Sequence, residues 1–127
     1  MERIQAALRA DPVVANVLDC KSEEIGPGVF RFKAEVEFDG DLIVERYLRG
    51  AAASGPAASL LAAPTPREHL HALFRASNMT ADSRALDAAL TLYGKEMVAY
   101  TGDQVDRLEA LIMQLEPSIA HVDIETD

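Results

Sequence analysis

One cysteine, Cys20, stands in a chain of 127 residues. An internal disulfide is thereby excluded, and so is a thiolate cluster for structural zinc. Long apolar runs are also missing: no stretch of 18 or more apolar residues occurs, so no segment reads as a membrane-spanning helix. The opening MERIQAALRADP has no apolar signal-peptide segment. A helix beginning so close to Met1 fits a domain cut from something longer as well as it fits a short natural protein. Basic residues are scarce, with 12 Lys and Arg against 21 Asp and Glu and a net charge of -9. Phosphate contacts need a basic surface, so nucleic acid is excluded as a partner and cations are the better match. A Gly-rich phosphate loop, a nucleophile elbow and a His-Glu-x-x-His pair are all absent, and with them the common enzymatic readings.

What remains is 49% hydrophobic, enough for one core and too little for two ordinary domains, so residues 1–127 are expected to form a single domain. Ile4, Ala7 and Leu8 keep a helical spacing that Asp11-Pro12 ends. Val13 to about Glu24, rich in β-branched residues, predicts a first strand, and Gly26-Pro27-Gly28 a hairpin turn. In FRFKAEVEF, Phe30, Phe32, Ala34, Val36 and Phe38 alternate with Arg31, Lys33, Glu35 and Glu37, which predicts a half-buried strand. LIVERYL reads as a short helix. GAAASGPAASLLAAPTP, residues 50–66, reads as a loop, and Thr65-Pro66 as the start of a further helix. From a cap at Asp82 or Ser83 a long periodic segment runs to Pro117, with a kink or break expected near Tyr100 to Asp103 because of Gly94 and Gly102. A last strand covers His121 to Glu125. The order predicts a two-layer α+β domain, helices on one sheet face, with a peripheral helical insertion at about residues 42–79.

With period two, Val122 and Ile124 point to the core while His121, Asp123 and Glu125 point away, as do Glu35 and Glu37 of the preceding strand. Imidazole with carboxylates suits zinc or a similar first-row ion, and His-x-Asp on a strand sets the two Cα atoms about 7 Å apart on one side. The same residues equally suit a solvated face that keeps a sheet soluble, with Arg31 and Lys33 as partners for Glu35 and Glu37. His69 and His71, two residues apart on a helix, do not form a metal pair and read as exposed. Cys20 reads as a small buried hydrophobe. Tyrosines and methionines of the long helix read as core or dimer contacts.

The blocks DPVVANVLDCKSEEIGPGVFRFKAEVEFDG and DQVDRLEALIMQLEPSIAHVDIE, in this order, resemble the C-terminal cytosolic domain of cation diffusion facilitator transporters. The AEV-FDG, VDRLE and HVD-E elements are most similar to the zinc-transporter-9-like branch. The resemblance implies a metallochaperone-like, ferredoxin-like αββαβ fold, a homodimer, and a regulatory role beside the chain's own transmembrane domain, on the cytoplasmic side of a membrane, in exchanging divalent cations for protons. It also implies metal ligands at His121 and Asp123, with Glu35 where many members carry a histidine, and zinc foremost among the cations. The family's other histidine positions fall near Leu18 and Gly102, neither of which can ligate. The implied site is therefore weak, and it depends on a neutral imidazole. Two other readings stand beside it: a metal-independent dimerisation module, and a ferredoxin-like regulatory domain for a small ligand.

Overall fold

The computed structural model describes residues 2–50, 66–80 and 83–126. Its elements are α1 (Glu2–Ala10), β1 (Val14–Gly26), β2 (Val29–Phe38), α2 (Gly40–Leu48), α3 (Pro66–Thr80), α4 (Ser83–Leu115) and β3 (Ile119–Thr126). The fold is α+β, and the three strands form one sheet in the order β1-β2-β3. Central β2 pairs antiparallel with β1 and parallel with β3. A parallel pair cannot be closed by a hairpin, which is why everything from α2 to α4 lies in the connection between β2 and β3. Of the loop expected at residues 50–66, residues 51–65 with the cap at Thr65 lie outside the described residues, as does the alternative cap at Asp82.

Local chemistry places the boundaries. Glu2 opens α1 and Arg9 stands in its last turn, each matching the helix dipole. After it, Asp11 Oδ1 accepts a hydrogen bond from Val13 N at 3.2 Å, turning the chain into β1. The hairpin turns at Gly28, whose φ of 71° favours a residue without Cβ; Glu24 accepts from Gly28 N across the turn. Asp39 Oδ1 accepts from Leu42 N at 3.1 Å, an N-cap that starts α2 as a helix rather than a continued strand. Gly50, φ 79°, ends it and donates to Tyr47 O.

The chain divides into two compact units. The first, Met1–Ile43 with Gln104–Asp127, holds the sheet. Its buried residues are Ile4 and Leu8 of α1, Phe32, Ala34 and Val36 of β2, Leu108 and Ile112 of α4, and Ile119 and Ile124 of β3, with Val13, Val14 and Ile43. The predicted parity holds, since Phe32 pairs with Val122 and Ala34 with Ile124 on the covered face. A register shift between Phe30 and Arg31 also brings Ile119 to that side, opposite Phe30. Arg107 forks onto Asp11, with Nη1 to Oδ2 at 2.7 Å and Nη2 to Oδ1 at 2.9 Å, and its Nε donates to Gln104 Oε1. This joins α4 to the turn between α1 and β1.

The second unit, Val44–Asp103, is helical. Tyr47 of α2 meets Tyr93 and Tyr100 of α4 edge-on, each at a centroid distance of 5.9 Å, and donates its hydroxyl to Glu96. Tyr47 and Tyr100 are buried and Tyr93 is half-buried, so of the long-helix tyrosines expected as core or dimer contacts Tyr100 lies in the core. The expected break does not occur, since α4 is helical without a gap through Tyr100 to Asp103. Tyr100 and Gln104, on either side of Gly102, are both buried.

Candidate metal-facing sheet surface

The covered face of the sheet leaves the other one exposed, and the register decides what lies on it. Strand β1 contributes Asp19, Lys21 and Glu23, β2 contributes Arg31, Lys33 and Glu35, and β3 contributes His121, Asp123 and Glu125. They form three rows across the strands. Glu23, Arg31 and His121 make one row; Lys21, Lys33 and Asp123 the next; Asp19, Glu35 and Glu125 the third. All are exposed except Glu35, which is half-buried. The surface is therefore banded by charge, with a row of three carboxylates beside a row holding two ammonium groups.

His121 and Asp123 lie where their strand parity puts them, side by side on the open face. Glu35 shares that face, one row from Asp123 but two rows from His121. It pairs with Glu125, whereas His121 pairs with Arg31, an offset of four residues or roughly 13 Å by strand rise. Zinc bonds to N and O ligands are about 2 Å long, so one ion cannot touch His121 and Glu35 of the same chain. Among the described residues no group of three His, Cys, Asp or Glu is disposed to enclose a metal. The donors present, one imidazole and one carboxylate, suit an ion shared with further ligands and held loosely, not an enclosed structural ion.

Lys33 is the central feature of the surface. Its ammonium lies 2.9 Å from Glu125 Oε1 and is not directed to Glu35 or Glu37 as the alternation in β2 suggested. The pairing is diagonal across two strands, which only the register of β2 on β3 could reveal. The hydrogen bond to Glu125, then the charges of Glu125, Asp123 and Glu35, hold the Lys33 ammonium above its usual range. On β1, Lys21 sits 3.8 Å from Asp19. Shallow hollows lie on either side of these lysines. One of about 150 Å³ is lined by Asp19, Lys21, Lys33, Glu35 and Glu125, and one of about 300 Å³ by Lys21, Glu23, Arg31, Lys33 and Asp123. The contribution of β1 was missed from sequence, although Asp19, Lys21 and Glu23 alternate visibly.

Two further titratable groups lie close to the strands. Glu109 of α4 accepts a hydrogen bond from the backbone of Ile124, but burial, with the charges of Asp106 and Asp123, pushes its carboxyl up. Cys20 lies on the covered face opposite Ala34, half-buried, where burial pushes its thiol up. It is a packing residue and has no part in the open surface. His69 and His71 are exposed on α3, as expected.

No helix among the described residues is long and apolar enough to cross a membrane. Neither a family model nor a solved structure matches the chain. Similarity to characterised sequences is clear, however. Metal tolerance protein C4 of Arabidopsis thaliana is 42% identical over 125 residues, covering 98% of this chain and 24% of that protein. The mitochondrial proton-coupled zinc antiporter SLC30A9 is 29% identical in Homo sapiens and 27% in Xenopus laevis, each over 125 residues and 19% of its length. The chain thus spans about a quarter or less of the relatives it matches. In both it is the C-terminal region that corresponds; these relatives are cation diffusion facilitators, and the chain belongs to that family by its match to their C-terminal region.

Proposed function

We propose that the chain is the cytosolic regulatory domain of a divalent-cation/proton antiporter, that two copies pair as a homodimer, and that the pairing responds to the transported cation, zinc foremost. The supporting observation is the uncovered sheet face, where His121 and Asp123 stand together beside the acidic row of Asp19, Glu35 and Glu125. Each chain carries a net charge of -9, so paired copies repel at close range. A divalent cation between them would cancel part of that charge. His121 and Asp123 would supply donors from each copy, and Glu35, too distant to join His121 in its own chain, would act through the acidic row or toward the partner. A closer pairing would then bias the attached membrane part toward transport.

A second reading, metal-independent pairing, has a specific observation in its favour: Arg31 and Lys33 stand directly opposite His121 and Asp123. Calorimetry with zinc chloride on wild type and His121→Ala, with sedimentation of both, separates the two. The sensing reading expects weak binding by wild type, a loss of several-fold or more in the variant, and a zinc-dependent rise in dimer. Dimers that ignore zinc would leave pairing without sensing, and a strict monomer at high concentration would overturn both.

A further inference from the structure

We infer that Lys33 is a tethered cation that competes with the divalent ion for this surface and sets the concentration at which the surface responds. The inference rests on the sensing reading above for its biological meaning, but its test is independent. Its ammonium makes an ion pair with Glu125 at 2.9 Å, and its register partner is Asp123. Glu35, two residues along β2 on the same face, completes the set of carboxylates whose charges act on it. A single positive charge on a flexible stem thus already pairs with Glu125 and offsets part of the negative charge to which an incoming ion would be drawn. Lysine suits this role because its ammonium is compact, carries its charge throughout the physiological range and can swing away on its four-carbon stem. Arg31 opposite His121 adds a second positive charge at the other donor.

The chemistry explains why a surface bearing so many carboxylates is not simply a strong cation trap. To engage Asp123, a divalent ion must displace or repel the Lys33 ammonium. A like charge a few ångströms away weakens binding of a divalent ion by about tenfold, even with the screening of water. Lys33 is about half exposed, so it is free to leave when the ion arrives. The arrangement therefore favours a response at high cation concentration and leaves the surface occupied by its own lysine at low concentration.

The test is zinc chloride titration by calorimetry of the whole 127-residue chain as wild type, Lys33→Met, Lys33→Arg and Lys33→Met/Asp123→Asn. Lys33→Met keeps the stem and removes the charge, and a Lys33→Gln variant serves if the methionine form fails to fold. Tighter binding by about tenfold is expected for Lys33→Met, with Lys33→Arg like wild type and the gain lost in the double variant. The gain should shrink as salt rises, because the repulsion being removed is screened. Binding by Lys33→Met alone would support the competitor role while removing sensing from the wild type. Equal binding by wild type and Lys33→Met would overturn the competitor role and leave sensing in place. No binding by any variant would overturn both.

Discussion

Truncating Arg107 tests what holds the sheet-bearing unit together. Its guanidinium makes two hydrogen bonds to Asp11, at 2.7 and 2.9 Å, and the Asp11 side chain is only 9% exposed. Removing one partner of a fully buried pair costs about 3 to 5 kcal/mol, because the remaining charge is left without compensation. Arg107 itself is 26% exposed, so water can enter the space vacated and hydrate Asp11 in part. Asp11 also keeps its bond from Val13 N. Both effects lower the cost, and Arg107→Ala should destabilise by about 2 to 3 kcal/mol. With a urea dependence of roughly 1 to 3 kcal/mol per molar for a small domain, the midpoint should fall by about 1 M or more. Lys at this position keeps the charge and loses the fork, so about half the loss is expected. A double-mutant cycle with Asp11→Asn, which retains an oxygen for Val13 N, should show coupling above about 1 kcal/mol. Additive effects, or an Arg107→Ala variant within about 0.5 kcal/mol of wild type, would refute the clamp.

Gly94 and Gly102 are exposed in α4, and a methyl group added at either meets nothing within 4 Å; each Gly→Ala change should stabilise by about 1 kcal/mol, read from thermal or urea midpoints. Glu109 gives a pH signature. Its raised carboxyl means that the folded state binds the proton more tightly than the unfolded state does. Stability should therefore fall as pH rises from the ordinary 4.5 through the raised value. Glu109→Gln keeps an acceptor for the Ile124 backbone, so it should remove that part of the pH dependence and be slightly more stable than wild type at neutral pH. A variant whose urea midpoint tracks wild type across the acid range would show that Glu109 is not strained.

The fold was legible where one local rule dominated. Strand β2 has five apolar residues in strict alternation with charged ones, and a shift of one residue would bury Arg31, Lys33 and Glu35 together. Parity alone therefore placed Phe32 inside and His121, Asp123 and Glu35 outside. Neighbours are another matter. That β3 lies beside β2, and that Asp123 faces Lys33 while Glu35 faces Glu125, follows from a parallel crossover through a long connection, and no local pattern encodes its register. For the same reason the Lys33–Glu125 pair was hidden, and so was Arg107 on Asp11, which joins positions 96 residues apart. The break expected in α4 shows the opposite error. Glycine propensity is worth about 1 kcal/mol per residue, less than a buried Tyr100 or Leu108 contributes by staying in a helix.

Under the proposed pairing, the open face is the surface of the sheet left for self-contact. Edge pairing through β3 would compete with the bond from Ile124 to Glu109, and β1 carries register shifts at three places that twist an edge away from a partner. The helix-covered face is already buried. A face-to-face contact must then bring charged rows together, and the banding makes this possible without a metal. An isologous contact about a two-fold axis running between the acidic row and the lysine row sets Asp19, Glu35 and Glu125 of one copy over Lys21 and Lys33 of the other. The same lysine that shields the carboxylates within one chain would, in such a pair, be drawn between its own Glu125 and the partner's acids. Under the proposed pairing, cation binding and self-contact would compete for the same carboxylates at close approach and cooperate only where His121 and Asp123 add ligands from both copies, so Lys33 would be the residue through which the two events are coupled.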